Sequence, residues 1–82
     1  MTSMTTARES AEQKLAELAA ANELGEVRIV DDAIVETETD WYFPYDAVAF
    51  IERGDISAAL AGNIPIRVTK SDGQISLSLP PR

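Results

Sequence analysis

The chain contains no cysteine and no histidine. The first absence excludes a disulfide framework and a thiolate metal site. The second removes the commonest general base and the commonest zinc ligand. No apolar run approaches the roughly 20 residues of a membrane-spanning helix. Met1–Thr6 lacks the basic and apolar regions of a signal peptide. The expected compartment is therefore the cytosol, with no membrane partner. Aromatic residues are scarce: Trp41, Tyr42, Phe43, Tyr45 and Phe50 are all there are. Bases are scarce too, with seven Lys and Arg against fourteen Asp and Glu, for a net charge of −7. A surface this short of bases disfavours nucleic acid, whose phosphates need basic contacts.

The acids that are present are unevenly placed. Between Glu23 and Asp55 stand ten acids against Arg28 and Arg53, a local charge of −8, while the remainder carries +1. A patch of one sign steers an oppositely charged surface toward it, which favours a basic protein partner. The same excess also serves solubility alone.

The 82 residues suffice for one domain. The expected architecture is α+β, an N-terminal helix packed on one face of a roughly four-stranded antiparallel sheet, with residues 1–5 flexible. Thr6 to Ala21 has helical spacing, with Ala7, Ala11, Leu15, Leu18 and Ala19 on one face. Thr6-Ala7-Arg8-Glu9 fits a capping box, and Asn22 and Gly25 are stop signals. From Glu26 to Thr39 the chain reads as extended, with a turn or bulge at Asp31-Asp32. Trp41, Phe43 and Tyr45 alternate onto one strand face, and Pro44 marks an edge or a local break. Asp55 to Leu60 fits one helical turn, capped by Asp55 and stopped by Gly62. Asn63 is expected to hydrogen-bond into the loop that follows. Ile64, Ile66 and Val68 alternate inward on one strand, and Ile75, Leu77 and Leu79 on the next. Ser71-Asp72-Gly73 makes the turn between them, with glycine supplying positive φ.

The register of the first hairpin decides which residues face outward. A two-residue turn at Thr39-Asp40 sets Glu38 opposite Trp41 and mixes acids with aromatics. An odd-length connection or a bulge instead places Val35 and Thr37 with Phe43 and Tyr45. That arrangement gathers Glu36, Glu38, Tyr42 and Asp46 on the other face, and a one-residue slip inverts every side chain. These four are the candidate partner-binding residues, with Tyr42 as an aromatic anchor among acids.

Other constellations carry little chemistry. Glu36 and Glu38 have no apolar flank to shift a pKa for acid–base work. Asp31, Asp32 and Glu36 lack the glycine and terminal glutamate of a calcium loop. Ser57 has no histidine or lysine beside it in the sequence. Gly62-Asn63 is not followed by the Lys-Ser/Thr of a phosphate loop. No catalytic set, metal or cofactor is expected.

Several fragments occur in a telling order: Trp41-Tyr42-Phe43-Pro44-Tyr45, then Gly54-Asp55, then Leu60-Ala61-Gly62-Asn63-Ile64-Pro65-Ile66-Arg67-Val68, then Asp72-Gly73. In this order the chain resembles the immunity protein 35 family, also called YrhB-like. That family's pattern is W-x-F-x-Y, a variable connection, (A)-G-N-x-P-(I/V)-x-V and a D-G turn. Family members often carry Gly before the Trp, where this chain has Asp40. The resemblance implies a small α+β bacterial protein, encoded in toxin–immunity loci, that binds and neutralises a cognate toxin. Such a toxin would present a basic surface to this acidic chain. On the residue-level reading, Trp41, Phe43, Tyr45, Gly62, Asn63, Pro65, Asp72 and Gly73 are structural. Partner specificity is therefore expected outside them.

Overall fold

A computed structural model describes residues 2–60 and 63–81. Helix α1 spans Met4–Asn22 and starts earlier than the capping box implies. Its cap is Ser3, whose side-chain oxygen accepts from the Thr6 amide at 3.2 Å. Just before it, the Thr2 amide donates to the Lys70 carbonyl at 2.7 Å. This bond joins the start of the described chain to the turn after the Ile66–Thr69 strand. Helix α1 ends on Glu23, whose φ of 53° is left-handed, while the Leu24 amide closes onto the Ala19 carbonyl.

The strands form two antiparallel sheets rather than one. Strands β1 (Val27–Ile29) and β4 (Tyr45–Ala47) pair as a two-stranded ribbon. Strands β2 (Val35–Glu36), β3 (Asp40–Phe43), β5 (Ile66–Thr69) and β6 (Ile75–Leu77) form the larger sheet, in the order β2-β3-β5-β6. A 3-10 turn at Asp31–Ala33 separates β1 from β2, at the point where the alternation of the sequence fails. Pro44 separates β3 from β4, and its carbonyl accepts from the Val30 amide. With no N–H of its own, Pro44 is where the extended segment leaves one sheet and joins the other.

After β4 comes a short helix that the sequence reading did not anticipate, α2 (Val48–Arg53), ended by Gly54 at φ 66°. A 3-10 turn at Ile56–Ala58 follows, capped by Asp55, whose carboxylate accepts from the Ser57 amide. Gly62, expected to stop this turn, lies outside the described residues.

The core sits between α1 and the sheets. Ala7, Ala11 and Leu15 bury against Ile29, Trp41, Phe43, Tyr45, Ile66 and Val68. The alanines let the helix approach closely, and Phe43, Ile66 and Val68 are fully enclosed. Strand register explains the grouping, because Trp41 lies opposite Val68 and Phe43 opposite Ile66. On β6 the outcome differs from expectation. Ile75 and Leu77 share this face, yet both are exposed, as are Ile64 and Leu79 beyond the strands. The reason is coverage: α1 lies over β5, β1 and β3, so the edge strand extends past its roof.

Candidate partner-binding surface

The first hairpin takes a register that overturns the sequence reading. Glu36 lies opposite Trp41, and Val35 lies opposite Tyr42. The connection is a two-residue turn at Glu38-Thr39, closed by the Thr37 amide on the Asp40 carbonyl at 2.9 Å. Thr37 Oγ1 also accepts from the Asp40 and Thr39 amides. An acid beside the aromatic core is tolerated because Lys70 bridges the two. Its ammonium lies 2.6 Å from Glu36 Oε2 and 4.9 Å from the Trp41 ring centroid.

The four candidate residues therefore do not share a face. Glu36 is on the helix side of the sheet, exposed at its rim. Glu38 sits exposed in the turn. Tyr42 points to the opposite side of the sheet, between Val35 and Arg67, and is only 5% exposed. It is not a free aromatic anchor. Asp46 belongs to the ribbon, and its Oδ1 accepts from the Ala47 and Leu60 amides at 2.7 and 2.9 Å. That carboxylate holds the connection before β5 against β4.

The remaining motif residues take internal contacts. The Asn63 side-chain amide donates back to the Tyr45 carbonyl rather than into the next loop. The Pro65 carbonyl accepts from the Ser78 amide and extends the β5–β6 ladder. Asp72 Oδ1 accepts from the Gln74 amide at 3.0 Å, and Gly73 adopts φ 72°. Burial raises the pKa of the Tyr45 phenol above its ordinary value. At Asp55 the pKa is lowered, chiefly by the Ser57 hydroxyl, 2.6 Å from its Oδ1. A carboxylate of lowered proton affinity is a poor base, so this pair reads as a helix cap and not an activated nucleophile.

Ion pairs divide the acids of the Glu23–Asp55 segment into two sets. Arg8 takes Asp31, Arg28 takes Glu52, Arg67 lies beside Asp40, and Lys70 takes Glu36. Glu23, Glu26, Asp32, Glu38 and Asp55 are exposed and have no ion-pair partner among the described residues, but Ser57 holds the Asp55 carboxylate, and the half-buried Asp46 is held by backbone amides. Glu26 also lines an open hollow of about 450 Å³, together with Leu24, Ala47, Val48, Ala49, Arg53 and Ala58. The hollow lies where the α1–β1 connection meets α2, and the Val48 amide donates to the Glu26 carbonyl. The sequence reading missed it because it depends on α2. The one local clue is the run of small residues on either side of Val48.

Comparison with known proteins places this geometry in context. The family model described as Immunity protein 35 matches residues 5–82. Uncharacterized protein YrhB of Escherichia coli (strain K12) is 49% identical over 35 residues, 43% of this chain and 37% of that protein. The aligned stretch thus spans little more than a third of the relative's length. No solved structure matches significantly. Among the described residues, no helix is long and apolar enough to cross a membrane.

Proposed function

The chain belongs to the immunity protein 35 family, and from that premise we propose that it neutralises a cognate toxin by direct contact, without catalysis, through its acidic surface. Residues 1–82 act in this as one α+β domain. The observation that carries the reading is the exposed set Glu23, Glu26, Asp32 and Glu38, which has no ion-pair partner among the described residues. Such charges raise the rate at which a basic surface is captured. The hollow beside Glu26 adds what charge alone lacks, a recess of mixed polar and apolar lining for an anchoring side chain. Glu36 joins the steering field only weakly, since Lys70 neutralises it. Tyr42 and Asp46 support the fold.

The test is to identify any toxin domain encoded beside this gene and measure binding kinetics with it at two ionic strengths. Glu26→Lys combined with Glu38→Lys is expected to slow association and flatten its salt dependence. Ala58→Arg, which fills the hollow, is expected to act mainly on dissociation. Wild-type kinetics in both variants at low salt would remove this surface from the interface and leave the acidic excess a solubility feature. A second reading, a general protein-binding or chaperone-like module, draws on the exposed Ile56, Ile64, Leu77 and Leu79. It predicts capture of unrelated unfolded proteins with no preference for the neighbouring toxin.

A further inference from the structure

Strand β6 is an edge, and its backbone geometry fixes which groups it offers. The Thr69 amide donates to the Gln74 carbonyl, and the Ser78 amide donates to the Pro65 carbonyl. Between them Arg67 lies opposite Ser76. Gln74, Ser76 and Ser78 therefore turn their backbone groups toward β5. By the two-residue period, Ile75, Leu77 and Leu79 turn theirs away from the sheet. The same three residues carry exposed apolar side chains, with Leu79 69% exposed. Open amides and open apolar surface thus fall on one strand, which is a template for pairing.

We propose that the occupant of this edge is a second copy of the chain, paired antiparallel through β6 about a two-fold axis at Leu77. Three properties of the segment select that partner. Ile75-Ser76-Leu77-Ser78-Leu79 reads as the same alternation in both directions. Centred on Leu77, the register sets Ile75 opposite Leu79 of the other copy and Leu77 opposite itself. Every outward-facing residue then meets an outward-facing residue, so the hydrogen bonds and the apolar face match together. A centre at Ser76 or Ser78 also pairs odd residues with odd, but it leaves Leu79 or Ile75 facing a residue beyond the apolar run. Finally, the chain from Gly73 to Pro81 carries no charge, in a protein of net charge −7. Two copies meet there without opposing like charges, which an edge rich in acids would forbid. Leu79's carbonyl holds only a 3.3 Å bond from the Ser78 hydroxyl, leaving it a free lone pair. The β6 pairing is independent of the toxin-neutralising reading and leaves the hollow beside Glu26 open.

Amide hydrogen exchange on the unmodified chain tests the pairing directly. Raising the concentration from low micromolar toward millimolar should protect Ile75, Leu77 and Leu79 progressively. Ser78, bonded within the monomer, should be protected throughout. Sedimentation over the same range should show mass doubling. Leu77→Glu should abolish the doubling while the near-ultraviolet signal of Trp41 stays that of the folded chain. Leu77→Cys, the sole thiol in its chain, should oxidise readily to a symmetric dimer. Hydrogen-bonded partners across an antiparallel pair lie about 5.5 Å apart at Cα, within disulfide reach. Ser76→Cys, offset from its own counterpart, should not. Monomer mass at every concentration, or a dimer indifferent to Leu77→Glu, would overturn the proposal. Protection of these amides that appears only on adding a toxin or another protein would equally overturn it.

Discussion

Reversing the charge at Glu36 tests how the first hairpin is held. Glu36 and Lys70 lie 2.6 Å apart, but their environments differ: the Glu36 side chain is 63% exposed and that of Lys70 12%. Lys70 cannot retreat easily. Its amide donates to the Thr39 carbonyl, its carbonyl accepts from Thr2, and its ammonium lies over Trp41. Neutralising Glu36 with Glu36→Gln removes one half-exposed ion pair, a loss of about 0.5 kcal/mol. Glu36→Lys adds repulsion between two ammonium groups. At about 4 Å this amounts to roughly 1–4 kcal/mol for surface dielectrics, and the exposed new lysine rotates away to relieve most of it. The expected total is about 1–2 kcal/mol. For a domain of this size that is a fall in Tm of about 5–12 °C. Glu38→Lys, in the open turn, should change stability by less than about 0.5 kcal/mol. The assay is thermal and urea unfolding of the three variants at low and high salt. Salt should shrink the Glu36→Lys deficit and leave Glu38→Lys near wild type. Equal Tm values for Glu36→Lys and Glu38→Lys would refute the Lys70 bridge. The odd-length connection of the sequence reading would then describe the hairpin better.

Other outcomes can be checked on the same footing. Phe43→Ala removes a fully enclosed ring and should cost about 3–5 kcal/mol, leaving little cooperative transition by calorimetry. Gly73→Val should be more damaging than Asp72→Ala in urea midpoint. It places a branched side chain at φ 72° with its Cβ 3.1 Å from Thr2 Oγ1, whereas Asp72→Ala loses one exposed hydrogen bond. Glu23→Gly should stabilise the chain by about 0.5–1 kcal/mol, since glycine adopts the left-handed helix end without strain. The buried Tyr45 phenol holds its proton longer when folded than when unfolded. Its contribution to stability is therefore complete below the ordinary phenol pKa of 10.0 and is lost as pH rises through the raised folded value. Absorbance titration should show a late phenolate step that Tyr45→Phe abolishes, together with a smaller alkaline loss of stability.

The parts of the fold that were legible in the sequence are those set by local chemistry. Helix α1 announces itself through Ala7, Ala11 and Leu15, which recur at its period. The interruption at Asp31-Asp32, the break at Pro44, the Asp55 cap and the Asp72-Gly73 turn each follow from one or two residues with narrow conformational preferences. What escaped depends on partners distant in sequence. The β1–β4 ribbon consists of three-residue strands, too short for alternation to register. Helix α2 is a run of Val48, Ala49, Phe50 and Ile51 that periodicity cannot distinguish from a strand. The hairpin register depends on Lys70, in the turn after β5, which reconciles Glu36 with Trp41; keeping acids away from aromatics selects the wrong pairing. Tyr42 is buried on the side of the sheet away from the helix, and Asp46 is held in the ribbon by the Ala47 and Leu60 amides. Glu23, Glu26, Asp32 and Glu38 are exposed with no ion-pair partner among the described residues.

The change of sheets at Pro44 bears on the order in which the chain can assemble. The β2–β3 and β5–β6 hairpins join near neighbours and can form within microseconds, before any distant contact exists. Residues 40–47 then have two separate appointments. The front half must find β5 across the whole α2 connection, and the back half must find β1 on the other side of β2. Each closes a loop, at an entropic cost that grows only slowly with loop length. Neither is rewarded fully until Phe43 and Tyr45 enter the same core. Folding should therefore pass through a bottleneck at this one segment, where contacts of high sequence separation converge. Lengthening the Gly54–Gly62 connection would delay only the first closure. Loosening Pro44 would disturb both, because a backbone donor there lets the strand run straight on within one sheet and miss the other.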